Sequence, residues 1–335
     1  MEKELFRLPV EISKSENLIE TKDKILFIGS CFADNMGKFM NDARFPVMVN
    51  PFGVLYNPMS IAATINSLLN PFDAEDLELD FDNGLWHSFL HHGKFSRPTP
   101  EETIEEIQNV VSETSLFLQE TKYLALTFGT SYVYEHKEKM RIVANCHKFN
   151  ANLFNRYLLE SDEIIEIYTD LIVRLRVFNP ALKIILTVSP VRHLKDGAHG
   201  NQISKSVLLL AIEKIVERFG GVVYFPAYEI VMDELRDYRF YDSGMIQPNE
   251  TAIKYIWQKF INAFFSDEAH NYYNQVQKII KARNHRISGF VNEHSEKFIN
   301  NSLQQIDLLM SQFPNTLLEQ DRQYFLKYIN TLIAN

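Results

Sequence analysis

The feature that most constrains this chain is Lys24-Ile25-Leu26-Phe27-Ile28-Gly29, a continuous apolar run stopped by Gly-Ser. The run has the length of a strand, and its lack of polar alternation means that both faces must be covered, as in the interior of a parallel sheet. The same signature returns at residues 123–129, 183–189 and 222–225, and a shorter strand fits residues 45–50. Helical patterns stand between them: residues 59–70 after Asn57-Pro58, and a helix from Pro100-Glu101-Glu102 to about Thr121, with acids placed well against its dipole. A third runs from 162 to 178, where Ile164, Ile165, Tyr168, Leu171, Ile172 and Leu175 recur at helical spacing, and further helices fit 202–219 and 251–265. Strands alternating with helices predict an α/β fold with a mainly parallel sheet covered on both faces, because parallel neighbours need crossover connections.

Two stretches depart from that rhythm. Residues 86–95 are rich in aromatics and histidine and read as loop or short hairpin, while 132–136 and 141–146 suit a hairpin around Lys137-Glu138-Lys139. Beyond Ser266 the pattern is helical only, with candidates at 267–283, 293–312 and 315–332. The chain therefore divides at 1–265 and 266–335, the second part being a helical extension that packs on the first or offers a surface to a protein partner or a second copy.

Composition narrows the partners. Of 335 residues, 46% are apolar and 23% charged, the mixture of a globular chain. The net charge of −9 argues against phosphate backbones and anionic lipid, so neither nucleic acid nor membrane is expected as a partner. The acidic start and the lack of a long apolar run predict a cytoplasmic protein, and two cysteines, Cys31 and Cys146, are too few for a disulfide framework. No Gly-x-Gly-x-x-Gly follows the first strand and no Gly-Lys-Ser/Thr occurs, so no nucleotide cofactor is expected. His87 and His91 have the spacing of a zinc helix, but Ser88 stands where the catalytic glutamate would be, so no metal is expected either.

In an open α/β sheet, ligands bind beyond the carboxyl ends of the strands. Those ends carry Gly29-Ser30, Gly129-Thr130-Ser131 and Ser189-Pro190-Val191-Arg192-His193. A serine at a strand-to-helix turn can serve as nucleophile, its own N–H aiding an oxyanion, or it can simply cap the helix. Cys31 follows directly and is expected to turn away into helix packing.

Five blocks in order, Gly29-Ser30-Cys31-Phe32-Ala33, Asn50-Pro51-Phe52-Gly53 with Tyr56-Asn57-Pro58, Thr127-Phe128-Gly129-Thr130-Ser131, Ala144-Asn145-Cys146-His147-Lys148 and Ser189-Pro190-Val191-Arg192-His193, closely resemble the motifs of the GSCFA family. That family looks like a branch of the SGNH hydrolases. The resemblance implies a three-layer α/β/α sandwich over residues 1–265 and a serine esterase or acyl-transfer activity on an ester, with an O-acylated carbohydrate as a candidate substrate. It assigns the nucleophile to Ser30 and oxyanion donors to Ser30, Gly53 and Ser131, the last standing where such enzymes carry an asparagine.

The resemblance fails at the last block. Where the esterases carry Asp-x-x-His-Pro, this chain reads Gly244-Met245-Ile246-Gln247-Pro248. Gly244 supplies no carboxylate, and the Gln247 amide cannot accept a proton near neutral pH. Either His193 or His147 takes the place of the base, or the chain is a binding or scaffold protein that kept the pocket without the chemistry.

Overall fold

The computed structural model describes residues 7–70, 77–284, 293–314 and 316–333. Five strands form the central sheet: β1 (Lys24–Gly29), β2 (Val47–Val49), β5 (Thr121–Phe128), β9 (Lys183–Val188) and β10 (Val222–Tyr224). They lie in the order β10-β9-β5-β1-β2, and every pairing is parallel. Numbered along the sheet strands alone, this is the doubly wound order 2-1-3-4-5, which places a topological switch, and hence a crevice, between β1 and β5.

Alternate residues of each strand feed two cores. Ile25 and Phe27 of β1 and Tyr123 and Ala125 of β5 face one layer. That layer is built from α1 (Cys31–Asp42) and α7 (Glu250–Phe264), with α6 (Ala227–Glu229) and the π-turn that continues it. Leu26 and Ile28, with Leu124, Leu126 and Phe128, face the other, built from α2 (Pro58–Leu69), α3 (Pro100–Gln119), α4 (Ser161–Phe178) and α5 (Gly197–Arg218). The three-layer sandwich follows from this two-sided burial. Gly37 lets α1 lie close on β2, since a Cβ there would come 2.3 Å from Val49 Cγ2.

A small cap sits beyond the carboxyl end of β5. It consists of the hairpin β3 (Asp80–Asp82) and β4 (Leu85–His87), and of the antiparallel strands β6 (Tyr132–His136), β7 (Arg141–Val143) and β8 (Phe154–Leu158). Phe89, Val143 and Phe154 form its own core.

The sequence expectations for the elements hold with local differences: the short hairpin read at 86–95 lies earlier, at 80–87, and the last helix begins at Glu319 and not at 315, a position outside the described residues. The strand β8 was not expected, because Phe-Asn-Arg-Tyr-Leu lacks an apolar run and is only partly buried. The helix α5 begins at Gly197, five residues before the expected start, in a segment whose glycines read as loop.

The C-terminal helices α8 (Asp267–Asn284), α9 (Glu293–Gln312) and α10 (Glu319–Ile333) pack on the α1 and α7 layer. Tyr272, Val276, Ile299, Ile306, Leu309 and Phe325 join the same core as the sheet residues. Asp321, fully buried, accepts from Arg44 Nε (2.6 Å) and Nη2 (2.9 Å) and from Arg283 Nη1 (2.7 Å), which pins α10 to the end of α1 and to α8. Among the described residues, no helix is long and apolar enough to cross a membrane.

Candidate active site

The site is built from the turn after β1. Gly29 has φ +149° and a Cβ there would stand 2.3 Å from Thr127 O, so only glycine lets β1 and β5 stay paired to their ends. Its N–H donates to Asn50 Oδ1 at 2.8 Å, and Asn50 Nδ2 donates to Asp34 Oδ1 at 2.6 Å, which binds the β2 loop to α1. Ser30 is the N-cap of α1: its Oγ accepts from Phe32 N–H at 3.3 Å and its own N–H donates to Thr127 O at 3.3 Å. It is 1% exposed. The residue that follows opens the helix, and there the thiol of Cys31 lines the cleft while Ser30 does not. This reverses the sequence expectation for the two side chains, because the cap geometry turns the first hydroxyl back onto the helix and the next side chain outward.

The cleft holds about 580 Å³. Cys31, Thr130 and His193 form its base at the ends of β1, β5 and β9. The β2–α2 loop contributes Tyr56 and Asn57, and the cap contributes Tyr132, Tyr134, Asn145, Cys146 and Arg156. Arg156 makes paired contacts with Asp196 (2.5 and 2.7 Å) and lies 4.1 Å from the Tyr132 ring centroid, so this wall is braced. Lys195 bonds the Tyr134 hydroxyl at the rim.

His193 belongs to this cleft. Its backbone N–H is held by Asn201 Oδ1 at 2.9 Å and its ring stands edge-on to Tyr56, with centroids 5.9 Å apart. Nε2 is buried and has no hydrogen-bond partner among the described residues. Burial, with the nearby Lys205 ammonium, pushes its pKa down to about 4, so the ring is neutral at pH 7. Ser30 Oγ has no histidine ring nitrogen within hydrogen-bond distance among the described residues.

The other candidates lie elsewhere. His147 does not line the cleft; its Nε2 contacts Ser88 O at 2.8 Å and its ring lies 4.7 Å from that of His87. The Gly53 N–H donates to Asn50 O at 2.8 Å and so closes a turn. The residue is a glycine because φ is +80° and a Cβ would come 2.5 Å from His92 Cβ. Ser131 is fully buried, its Oγ 3.1 Å from both Ser204 O and Ser204 Oγ, tying the β5 end to α5. The donors assigned to Ser30, Gly53 and Ser131 are thus all engaged within the fold. Gln247 does line the cleft. Its loop is set by Asp242, whose Oδ1 accepts from Gly244 N–H at 3.1 Å, while Asp242 N–H donates to Gln247 O at 2.8 Å. Arg192 N–H donates to Ile246 O at 3.2 Å, joining that loop to the His193 segment.

One site group was missed in the sequence. Lys205 of α5, 1% exposed, donates to Gly129 O (2.6 Å) and Ser189 O (2.7 Å), the carbonyls just past β5 and β9. Burial pushes its pKa down to about 7. The signal was present: Lys205 falls on the stripe of Leu208, Ala211, Ile212 and Ile215, where a solvated lysine has no place. Among the described residues, no group of three or more His, Cys, Asp or Glu side chains could hold a metal ion.

Fold and cleft together define an α/β protein with a crevice at the topological switch of a doubly wound sheet. The model of the GSCFA family matches residues 24–260, and the chain belongs to that family. No curated protein matches it. Solved structures that it resembles include a family 3 carbohydrate esterase from Clostridium thermocellum (10% identity, TM-score 0.34, 72% of this chain and 94% of that one). Another is an acetyl xylan esterase from the rumen bacterium Butyrivibrio proteoclasticus (10%, 0.37, 74% and 64%). A third is a family 3 carbohydrate esterase from Talaromyces cellulolyticus (10%, 0.31, 77% and 98%). At these scores the likeness transfers neither substrate nor mechanism.

Proposed function

We propose that this chain handles acyl esters of polar, hydroxyl-rich compounds in the cleft over β1, β5 and β9, as a slow esterase or acyl-transfer protein of the SGNH type. The observation that carries this reading is the convergence of Cys31, His193 and Gln247 on one crevice at the switch point. The wall chemistry fits the ligand class: Tyr132 and Tyr134 offer aromatic surface, and Asn57, Asn145 and Arg156 offer hydrogen bonds to hydroxyls. Turnover is slow because Gln247 occupies the place of an imidazole and no oriented base stands against a nucleophile.

Acetate release from p-nitrophenyl acetate and from acetylated glucose tests this. The wild type should release acetate slowly, and the pair Gly244→Asp with Gln247→His should raise the rate by about 10²-fold or more. No release by either protein would remove the reading. A second reading, a binding protein without turnover, is favoured by Gln247 itself. Saturable binding of acetylated glucose with no acetate formed by the wild type would select it.

A further inference from the structure

The turn after β1 presents two adjacent nucleophilic side chains, and the fold treats them oppositely. Ser30 is closed off by its capping role, whereas Cys31 is half-buried with its side chain on the cleft. Cys31 is the first residue of a twelve-residue helix, so its sulfur sits beside the positive helix end. Two further groups bear on the same spot, the buried Lys205 ammonium and the Tyr56 hydroxyl, and His193 lines the same cleft. Cys146 lines the same cleft from the cap and does not open a helix.

We propose that Cys31 is the nucleophile of this cleft and carries the acyl group of an ester as a thioester. This rests on the acyl-ester reading above and names the reacting atom. The thiolate sulfur attacks the ester carbonyl, forming a C–S bond; the C–O bond to the alcohol breaks; the departing alkoxide takes up the proton that the thiol released. The products are the acylated Cys31 and the free alcohol, and no further reactant is needed. Water then cleaves the thioester, or an acceptor hydroxyl takes the acyl group. Burial and the Asp34 carboxylate hold the thiol above its ordinary pKa, while the Cys31 and Phe32 amides and Lys205 pull it back. Because Gln247 cannot activate the water, the thioester is long-lived, which makes it observable.

The experiment uses the full chain with p-nitrophenyl acetate as acyl donor and N-ethylmaleimide as a plain thiol reagent, and locates adducts by peptide mass mapping. The acetyl group should appear on Cys31, persist in Ser30→Ala and Cys146→Ala, and vanish in Cys31→Ala and in Cys31→Ser, the latter keeping the side-chain size should the former fold poorly. Neutral hydroxylamine should strip it, as it does a thioester and not a serine ester. An acetyl group on Ser30, acetylation of Cys146 as fast as of Cys31, or alkylation of Cys31 without any acetylation would each overturn the proposal. Acetate release retained in Cys31→Ala would remove Cys31 and leave the acyl-ester reading standing, whereas no ester consumption by any protein would remove both.

Discussion

Two fully buried charged side chains, Lys205 and Asp321, are provided for in contrasting ways. Asp321 is saturated with opposite charge: burial alone would raise its pKa, but the guanidiniums of Arg44 and Arg283 outweigh it and hold the carboxyl below its usual range. Among the described residues, Lys205 meets only the carbonyl dipoles of Gly129 and Ser189 within hydrogen-bond distance, and its pKa falls to about 7. The first arrangement spends its charge entirely on joining three helices. The second leaves a cation's field to act on its neighbours, and those neighbours are Cys31 and His193.

The contrast breaks first at Asp321. Asp321→Ala leaves two guanidiniums without their carboxylate and should cost about 3–5 kcal/mol in urea denaturation, with acetylation of Cys31 unchanged in the folded protein. A loss below that of an exposed pair would mean that the site contributes no more than surface charge.

Lys205→Met should cost about 1–3 kcal/mol for each carbonyl left unpaired. Its pH dependence carries the sharper test. With a folded pKa of about 7 against an ordinary 10.5, the unfolded chain binds a proton that the folded one lacks between those values, so wild-type stability rises with pH across that window. The variant lacks this rise, and the gap between the two proteins should widen from pH 7 to 10. Parallel curves would show that the amine is not depressed.

On the acid side the same sign applies to His91 and His193, both pushed to about 4 chiefly by burial. As pH falls from 6.5 to 4 the unfolded chain takes up these protons first and stability drops. His193→Gln should reduce that slope by about one proton in equilibrium denaturation measured across the range. An unchanged slope would place the ring in solvent.

The smallest effect belongs to Ser30→Ala. Loss of a helix cap costs about 1 kcal/mol. The variant should melt slightly earlier and react at the cleft like the wild type.

The architecture was legible in the sequence because its strands are buried on both faces and announce themselves as unbroken apolar runs. Lys183–Val188 and Thr121–Phe128 needed no knowledge of their neighbours. The cap was less legible: β8 mixes Asn, Arg and Tyr because it is only partly buried, with Arg156 on the cleft and Asn155 exposed. The site was legible in location and not in orientation. That Ser30 points inward and Cys31 outward depends on which residue adopts the extended cap conformation (φ −71°, ψ 176°), and both sequence positions satisfy the same pattern. Gln247 could be placed on the cleft from its block alone. The withdrawal of His147 depends on contacts with Ser88 and His87, brought in from another part of the cap.

The limits of kinship and of the folding unit do not coincide here. Family resemblance stops at residue 260, yet Ile19 bridges Phe265, the Ser15 amide reaches Ala263 O, and Val10 holds Glu234. A chain trimmed to that span would shed both the N-terminal strap and the three C-terminal helices, which pack on the same layer of α1 and α7. Phe45 and Trp257 would lose the rings of Phe265, Tyr272 and Tyr273 that cover them, and such a fragment should self-associate before any chemistry could be measured on it.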